Sequence, residues 1–121
     1  MSAKVLIVED DADIRHALAI FLRFAGYEIV TACDGAEALA LLQDSDPPRL
    51  ILLDLMMPVM DGWALREEML GNQELAAIPV LLISGAGDLT QHAATLKAQG
   101  FLRKPFTLES VVEAVNEHCA A

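Results

Sequence analysis

The sequence predicts an α/β protein in which a parallel sheet carries helices on both faces. Residues 50–53 and 80–83 are apolar at every position, as is typical of strands buried on both sides. Segments with apolar residues at helical spacing lie between the strand-like runs, and the connections are short. This alternation indicates parallel strands joined by helical crossovers. The 121 residues suit one domain, which we assign to residues 1–121.

Five strands and five helices are predicted in alternating order. The strands are expected at residues 5–8, 27–32, 50–54, 80–83 and 100–103. Short polar residues that cap helices precede four of the helical segments: Asp13, Asp34, Asp61 and Thr107. The remaining helix is expected around residues 90–98, between the fourth and fifth strands.

Composition and charge exclude several classes of function. The net charge is −10 and the few basic residues are scattered, so direct nucleic-acid binding is not expected. No apolar run approaches the length of a membrane span, and the N-terminus lacks the features of a signal peptide. We therefore expect a cytoplasmic protein that does not enter membranes. The two cysteines, Cys33 and Cys119, have no metal-binding spacing and are expected to be free thiols.

Chemically active side chains follow four of the predicted strands. Asp54 directly follows a buried aliphatic run, and by itself it could be a metal ligand, a nucleophile or a helix cap. Because parallel strands end at one edge of the sheet, where ligands bind in such folds, the other strand ends bring further polar groups to it. The full set is Glu9, Asp10, Asp11, Asp54, Ser84 and Lys104.

Several carboxylates at one edge repel one another unless a cation lies between them. Their hard oxygen atoms select Mg²⁺, Mn²⁺ or Ca²⁺ rather than zinc. One carboxylate can then act as a nucleophile toward phosphorus, and a hydroxyl and an ammonium group can stabilise the phosphoryl oxygens. The set of residues therefore favours phosphoryl chemistry on an aspartate.

The motifs at these strand ends resemble those of the receiver domains of two-component response regulators, and the resemblance covers essentially the whole chain. It is carried by residues 5–8 with the acids that follow, by Leu-Leu-Asp-Leu-Met-Met-Pro-Val-Met-Asp-Gly at 52–62, by Ile-Ser-Gly at 83–85 and by Leu-Arg-Lys-Pro-Phe at 102–106. The resemblance implies a flavodoxin-like fold with strand order 2-1-3-4-5. That order comes from the family and does not follow from the strand pattern alone.

The resemblance also implies a role for three of the acidic residues. Asp54 would accept the phosphoryl group. Asp10 and Asp11 would hold Mg²⁺, with Asp11 the most direct ligand and Mn²⁺ a possible substitute. Asp54 itself and the backbone carbonyl of Met56 would complete the metal site.

Four further residues receive roles from the resemblance. Ser84 would hydrogen-bond the phosphoryl group and Lys104 would pair with it. Ser84 and Phe101 would act together as the conformational switch, although Phe101 could equally be a plain core residue. Pro105 is expected to follow Lys104 through a cis peptide bond, which only Xaa-Pro adopts at low cost.

The implied partners are a histidine kinase or phosphotransfer protein as donor, and a downstream protein or covalently linked output domain as reader. A dimer through the fourth helix, fifth strand and fifth helix is also possible in this family. The segment from Ser84 to Lys104, which contributes to that face, is about two residues shorter than is usual in the family. Met56 and Ala86 are apolar at positions that govern water access, so slow loss of the phosphoryl group is expected.

Three other functions remain open. A Mg²⁺-dependent aspartyl phosphatase would need a second acid two residues after the nucleophile, where Met56 stands. A flavin-binding module would need phosphate donors after the first strand, where Glu9, Asp10 and Asp11 would repel a phosphate. A receiver that binds partners without phosphorylation is less compatible with the complete acidic set. The chain could also be a fragment of a longer protein.

The remaining distinctive side chains are interpreted as structural. His16 and His92 are expected on exposed helix faces, and His118 near a helix C-terminus, where a cation is favourable. Trp63 and Tyr27 are expected to pack. The methionines at 56, 57 and 60 are expected to pack a loop against the third helix, because the neighbouring ligands are hard oxygens.

Overall fold

The computed structural model describes residues 3–44, 46–85 and 87–119. It contains a five-stranded parallel sheet of order β2-β1-β3-β4-β5, which confirms the predicted fold class and strand order. The strands are β1 (Lys4–Val8), β2 (Glu28–Ala32), β3 (Leu50–Asp54), β4 (Val80–Ser84) and β5 (Gly100–Arg103). The helices are α1 (Ala12–Phe24), α2 (Gly35–Leu42), α3 (Gly62–Leu70), α4 (Gln73–Ala76), α5 (Leu89–Leu96) and α6 (Leu108–Cys119).

The sheet separates two hydrophobic layers because successive strand residues point to opposite faces. In β3, Leu50 and Leu52 pack with α1 and α6, whereas Ile51 and Leu53 pack on the side of α2, α3, α4 and α5. All five residues of β3 and of β4 are buried. The apolar runs in the sequence therefore mark the two strands at the centre of the molecule.

Helix caps explain where several helices begin. Asp34, Asp61 and Thr107 accept hydrogen bonds from backbone N–H groups at the predicted positions. The prediction of Asp13 as a cap was wrong: Asp11 caps α1, with Oδ1 accepting from Asp13 N at 2.9 Å. Asp11 has the extended backbone that a cap needs, whereas Asp13 already lies inside the first helical turn.

Two further features differ from the sequence-based expectation. The short helix α4 was not predicted; Asn72 caps it and Leu75 buries its side chain in the core. The helix expected at residues 90–98 begins earlier, after its cap Asp88, and ends where Lys97 adopts a left-handed conformation with φ of 56°. A left-handed residue is a common helix end.

A buried arginine holds the end of α5. Arg66 of α3 donates from Nε to the carbonyl of Leu96 at 2.8 Å and from Nη2 to that of Lys97 at 3.1 Å. These carbonyls lie at the C-terminus of α5, where intrahelical donors run out. The contact fixes α5 against α3 just before the short connection to β5.

Candidate functional site at the carboxyl edge of the sheet

The predicted residues converge at the carboxyl ends of β1, β3, β4 and β5. Asp54 ends β3 and Ser84 ends β4; both are buried. Lys104 follows β5, and its backbone N–H donates to the carbonyl of Ser84 at 3.0 Å. The adjacent peptide bond between Lys104 and Pro105 is cis, which is the geometry expected from the sequence.

Glu9 occupies a position in this site that the sequence-based interpretation did not assign. Its carboxylate is fully buried, and Oε1 lies 2.6 Å from Lys104 Nζ. The same ammonium group lies 3.3 Å from Asp54 Oδ2. One lysine thus bridges two buried carboxylates.

Carboxylate oxygens of Glu9, Asp10 and Asp54 all lie within 4.8 Å of one another. Asp11, predicted to be the most direct metal ligand, is not part of this group because its side chain caps α1. The physical reason is the end of β1: the backbone N–H of Glu9 still pairs with the carbonyl of Ala32. Glu9 therefore follows the path of the strand by one more residue, and the last of the three acids caps the first helix. No feature of the sequence separates Glu9 from Asp10 and Asp11, because all three acids follow the same strand.

The carboxyl group of Glu9 has a strongly shifted pKa. Burial, followed by the hydrogen bond and the charge of Asp54, raises the pKa of Glu9 to about 7, although Lys104 opposes this. Burial lowers the pKa of Lys104, but its contacts with Glu9 and Asp54 outweigh burial and raise it overall. Lys104 is therefore held as a cation beside Asp54.

The donor set fits a hard divalent cation. All three side chains of the cluster offer oxygen atoms, the type that Mg²⁺ prefers. Glu9 Oε1 already contacts Lys104 Nζ, but one ammonium group faces three clustered carboxyl groups, so a cation would offset the remaining repulsion between them. For Met56, the N–H group donates to Asp54 Oδ1 at 3.2 Å; its carbonyl stays a predicted ligand only.

The remaining predicted site residues lie around this cluster. Phe101 of β5 is 40% exposed, so the alternative of a plain core phenylalanine was wrong. Met57 and Met60 pack against the core as expected, but Met56 is exposed to solvent. Ala86 lies outside the described residues.

The expectation that His92 lies on an exposed helix face was wrong: the residue is half-buried because its ring packs edge-on against Trp63, with 5.2 Å between the ring centroids. His16 is exposed, as expected. Both cysteines are free thiols, as expected.

The close packing behind Asp54 depends on a glycine. A Cβ atom on Gly62 would lie 2.5 Å from the carbonyl oxygen of Asp54 and 2.8 Å from Leu55 Cα. Only a residue without a side chain allows the start of α3 to approach the strand this closely. Gly62 therefore keeps α3 against the strand end that carries Asp54.

Together, the fold and the site define a flavodoxin-like α/β domain with an acidic cluster at the carboxyl edge of its sheet, in which a lysine bridges the two buried carboxylates. Comparison with known proteins identifies the family: residues 5–116 match the model of the response regulator receiver domain. The chain belongs to this family, whose members are signalling domains of two-component systems.

Individual relatives agree with this assignment. The chain is 37% identical over 106 residues to a probable transcriptional regulator, ycf27, of Cyanophora paradoxa, an alignment that covers 86% of this chain and 43% of the relative. It is 35% identical over 114 residues to the response regulator MprA of Mycobacterium tuberculosis, covering 93% of this chain and 48% of the relative. The chain thus spans less than half the length of these relatives.

A solved structure shows the same fold over its whole length. The chemotaxis response regulator CheY4 of Vibrio cholerae superposes with a TM-score of 0.89 at 32% identity, covering 98% of this chain and 99% of that one. In the described part of the present chain, none of the helices combines the length and apolar character that crossing a membrane requires.

Proposed function

We propose that the protein is a phosphorylation-dependent switch in which Asp54 accepts a phosphoryl group from a histidine kinase or phosphotransfer protein. The observation that carries the proposal is the pair of contacts from Lys104 Nζ to Asp54 and Glu9. A buried aspartate beside a fixed ammonium group is placed to attack phosphorus while the growing charge on the phosphoryl oxygens is neutralised.

The transfer itself exchanges one bond for another. An Asp54 carboxylate oxygen forms a bond to phosphorus, and the bond from phosphorus to the donor imidazole nitrogen breaks. The electron pair returns to the imidazole, which regains its neutral form with a proton from solvent. Mg²⁺, held by Glu9, Asp10 and Asp54, would supply positive charge to the phosphoryl oxygens.

Two other residues complete the proposed switch. Ser84 ends the strand next to Asp54 and is buried beside it, so its hydroxyl is proposed to bind the new phosphoryl oxygens. Phe101, half-exposed on β5, is proposed to move inward when Ser84 shifts. The changed face of α5, β5 and α6 would then bind a partner protein, a linked output domain or a second copy of the chain.

Intact-mass measurement after incubation with acetyl phosphate and Mg²⁺ tests the acceptor. We expect the native chain to gain one phosphoryl group that hydroxylamine removes, since hydroxylamine cleaves acyl phosphates. Asp54→Ala should gain none, whereas the matched control Asp13→Ala, an exposed acid outside the cluster, should behave as the native chain. Absence of labelling in the native chain would instead favour an interaction module that works without phosphorylation.

The lifetime of the modified state is a separate part of the proposal. Met56 stands two residues after Asp54 and exposes an apolar side chain rather than an acid that could activate water. We expect the phosphoryl group to be lost slowly in the presence of Mg²⁺. Loss within seconds would contradict this expectation, and Met56→Glu should speed the loss if water activation at this position limits it.

A further inference from the structure

An apolar groove lies between α1 and α6, separate from the acidic site. Phe21, Phe24 and Ala25 form one wall, and Val112 of α6 lies opposite. The groove has a volume of about 400 Å³ and opens to solvent. None of the residues that line it belongs to the cluster around Asp54.

The exposure of this surface exceeds what packing of the helix requires. Phe24 is 94% exposed and Phe21 is 41% exposed, while Leu18 and Leu22 already anchor α1 to the sheet. Ile20, one helical turn before Phe24, is 65% exposed and extends the apolar surface. Single exposed apolar residues are ordinary, but a contiguous group that contains two phenylalanines favours an interaction site.

The rim of the groove is acidic. Glu109 and Glu113 are exposed, lie one helical turn apart on α6 and border the apolar residues. The described residues that line the groove include no lysine, arginine or histidine. An occupant therefore needs apolar side chains for the floor and positive charge along one edge.

A second copy of the chain does not meet this requirement. Two copies joined symmetrically through this groove would bring four carboxylates, from two pairs of Glu109 and Glu113, to one interface. The chain as a whole carries a net charge of −10, which adds to the repulsion. Charge complementarity thus favours a basic partner over self-association.

We propose that the groove between α1 and α6 binds an amphipathic helix of a partner protein, with aliphatic anchors at helical spacing and lysine or arginine beside Glu109 and Glu113. Helices dock into grooves in this way through residues at positions i, i+3, i+4 and i+7. The binding does not rest on phosphorylation of Asp54, and its failure would leave the proposed switch untouched.

Two synthetic helical peptides test the proposal directly. Both carry the same leucine face at helical spacing; one has lysines along the flank and the other has glutamates. Binding to the isotope-labelled chain is followed by amide chemical shifts in heteronuclear NMR spectra at low ionic strength. We expect the lysine peptide to bind at least about tenfold more tightly, with shifts confined to residues 20–25 and 108–113.

Variants separate the two parts of the surface. Phe24→Ser removes an exposed side chain, so the fold should persist while lysine-peptide affinity falls about tenfold. The pair Glu109→Lys with Glu113→Lys should reverse the preference, so that the glutamate peptide binds more tightly. The matched control, Glu67→Lys with Glu68→Lys, makes the same charge change on exposed residues of α3 and should leave the preference unchanged.

Three outcomes would overturn the proposal. The first is that neither peptide produces shifts in the groove at millimolar concentration. The second is that both peptides bind equally and the charge reversal on α6 has no effect. The third is a dimer in sedimentation velocity that Phe24→Ser abolishes, which would assign the groove to a second copy.

Discussion

Replacing Glu9 by glutamine separates the charge of this buried residue from its shape. The carboxylate is fully buried, contacts Lys104 and is raised in pKa to about 7 from an ordinary 4.5. Below pH 4.5 the group is protonated in both the folded and the unfolded chain. Between pH 4.5 and about 7, Glu9 keeps its proton in the folded chain but loses it in the unfolded chain. Above pH 7 the folded chain has to hold a buried negative charge.

The sign of the effect follows from this difference in bound protons. The folded chain binds more protons than the unfolded one, so Glu9 makes the free energy of unfolding fall as the pH rises from 4.5 through about 7. At about 1.4 kcal/mol for each pKa unit, the loss amounts to at most about 3.5 kcal/mol. Glutamine has no proton to lose, so Glu9→Gln should escape this loss.

Urea unfolding of both chains from pH 5 to pH 8.5, in EDTA and without Mg²⁺, measures the difference. We expect the two free energies of unfolding to be similar near pH 5, and the variant to be about 1–3 kcal/mol more stable near pH 8. Subtracting the two curves cancels the titration of carboxylates elsewhere in the chain. The matched control is Glu28→Gln, at an exposed glutamate of β2.

The reasoning would be refuted if the difference between the native chain and Glu9→Gln stayed constant across this pH range. It would also fail if Glu9→Gln became less stable than the native chain as the pH rose. Lys104 would then be stabilising Glu9 in its charged form. A pH-dependent difference of the same size for Glu28→Gln would assign the effect to net charge rather than to burial.

Four further outcomes are expected. Mg²⁺ should bind more tightly as the pH rises through about 7, because Glu9 must lose its proton to act as a ligand; calorimetry in two buffers of different ionisation enthalpy would detect the released proton. Arg66→Met should lower the free energy of unfolding by about 1–3 kcal/mol, since two carbonyls at the end of α5 lose their donors, and hydrogen exchange should rise at residues 96–99. Gly62→Ala should destabilise the fold by about 2 kcal/mol or more, because its Cβ would overlap the Asp54 backbone. Val59→Gly should be neutral or stabilising by up to about 1 kcal/mol, since the 85% exposed Val59 has a φ of 67° and strain relief offsets the extra freedom of glycine.

Each of these variants has a comparison that isolates its cause. Arg66→Lys keeps the charge but not the planar donors, and is expected to restore little of the lost stability. Gly71→Ala places its Cβ no closer than 3.6 Å to its neighbours and should cost far less than Gly62→Ala. Val59→Ala keeps a Cβ at the same positive φ and should not gain stability. For the metal, Glu9→Gln should bind Mg²⁺ more weakly and without the pH dependence near 7.

Chain-local patterns determined most of the fold. Unbroken apolar runs specified β3 and β4, because a strand buried on both faces needs apolar side chains at every position. Asp34, Asp61 and Thr107 specified helix starts, because capping requires only neighbours in the chain. Helix α4 escaped prediction because a single capped turn, stabilised by the burial of Leu75, has too little periodicity to be recognised.

By itself, the sequence determined that Asp54, Ser84 and Lys104 meet at one edge, since parallel strands leave their carboxyl ends together. Tertiary structure alone decided which acids after β1 join them. Three consecutive carboxylates look alike in the sequence, but pairing with Ala32 directs Glu9 inward while Asp11 caps α1. Tertiary structure also decided the role of Arg66. The carbonyls that Arg66 binds lie about thirty residues away along the chain. Such contacts arise only when α3 and α5 pack on the same face of the sheet.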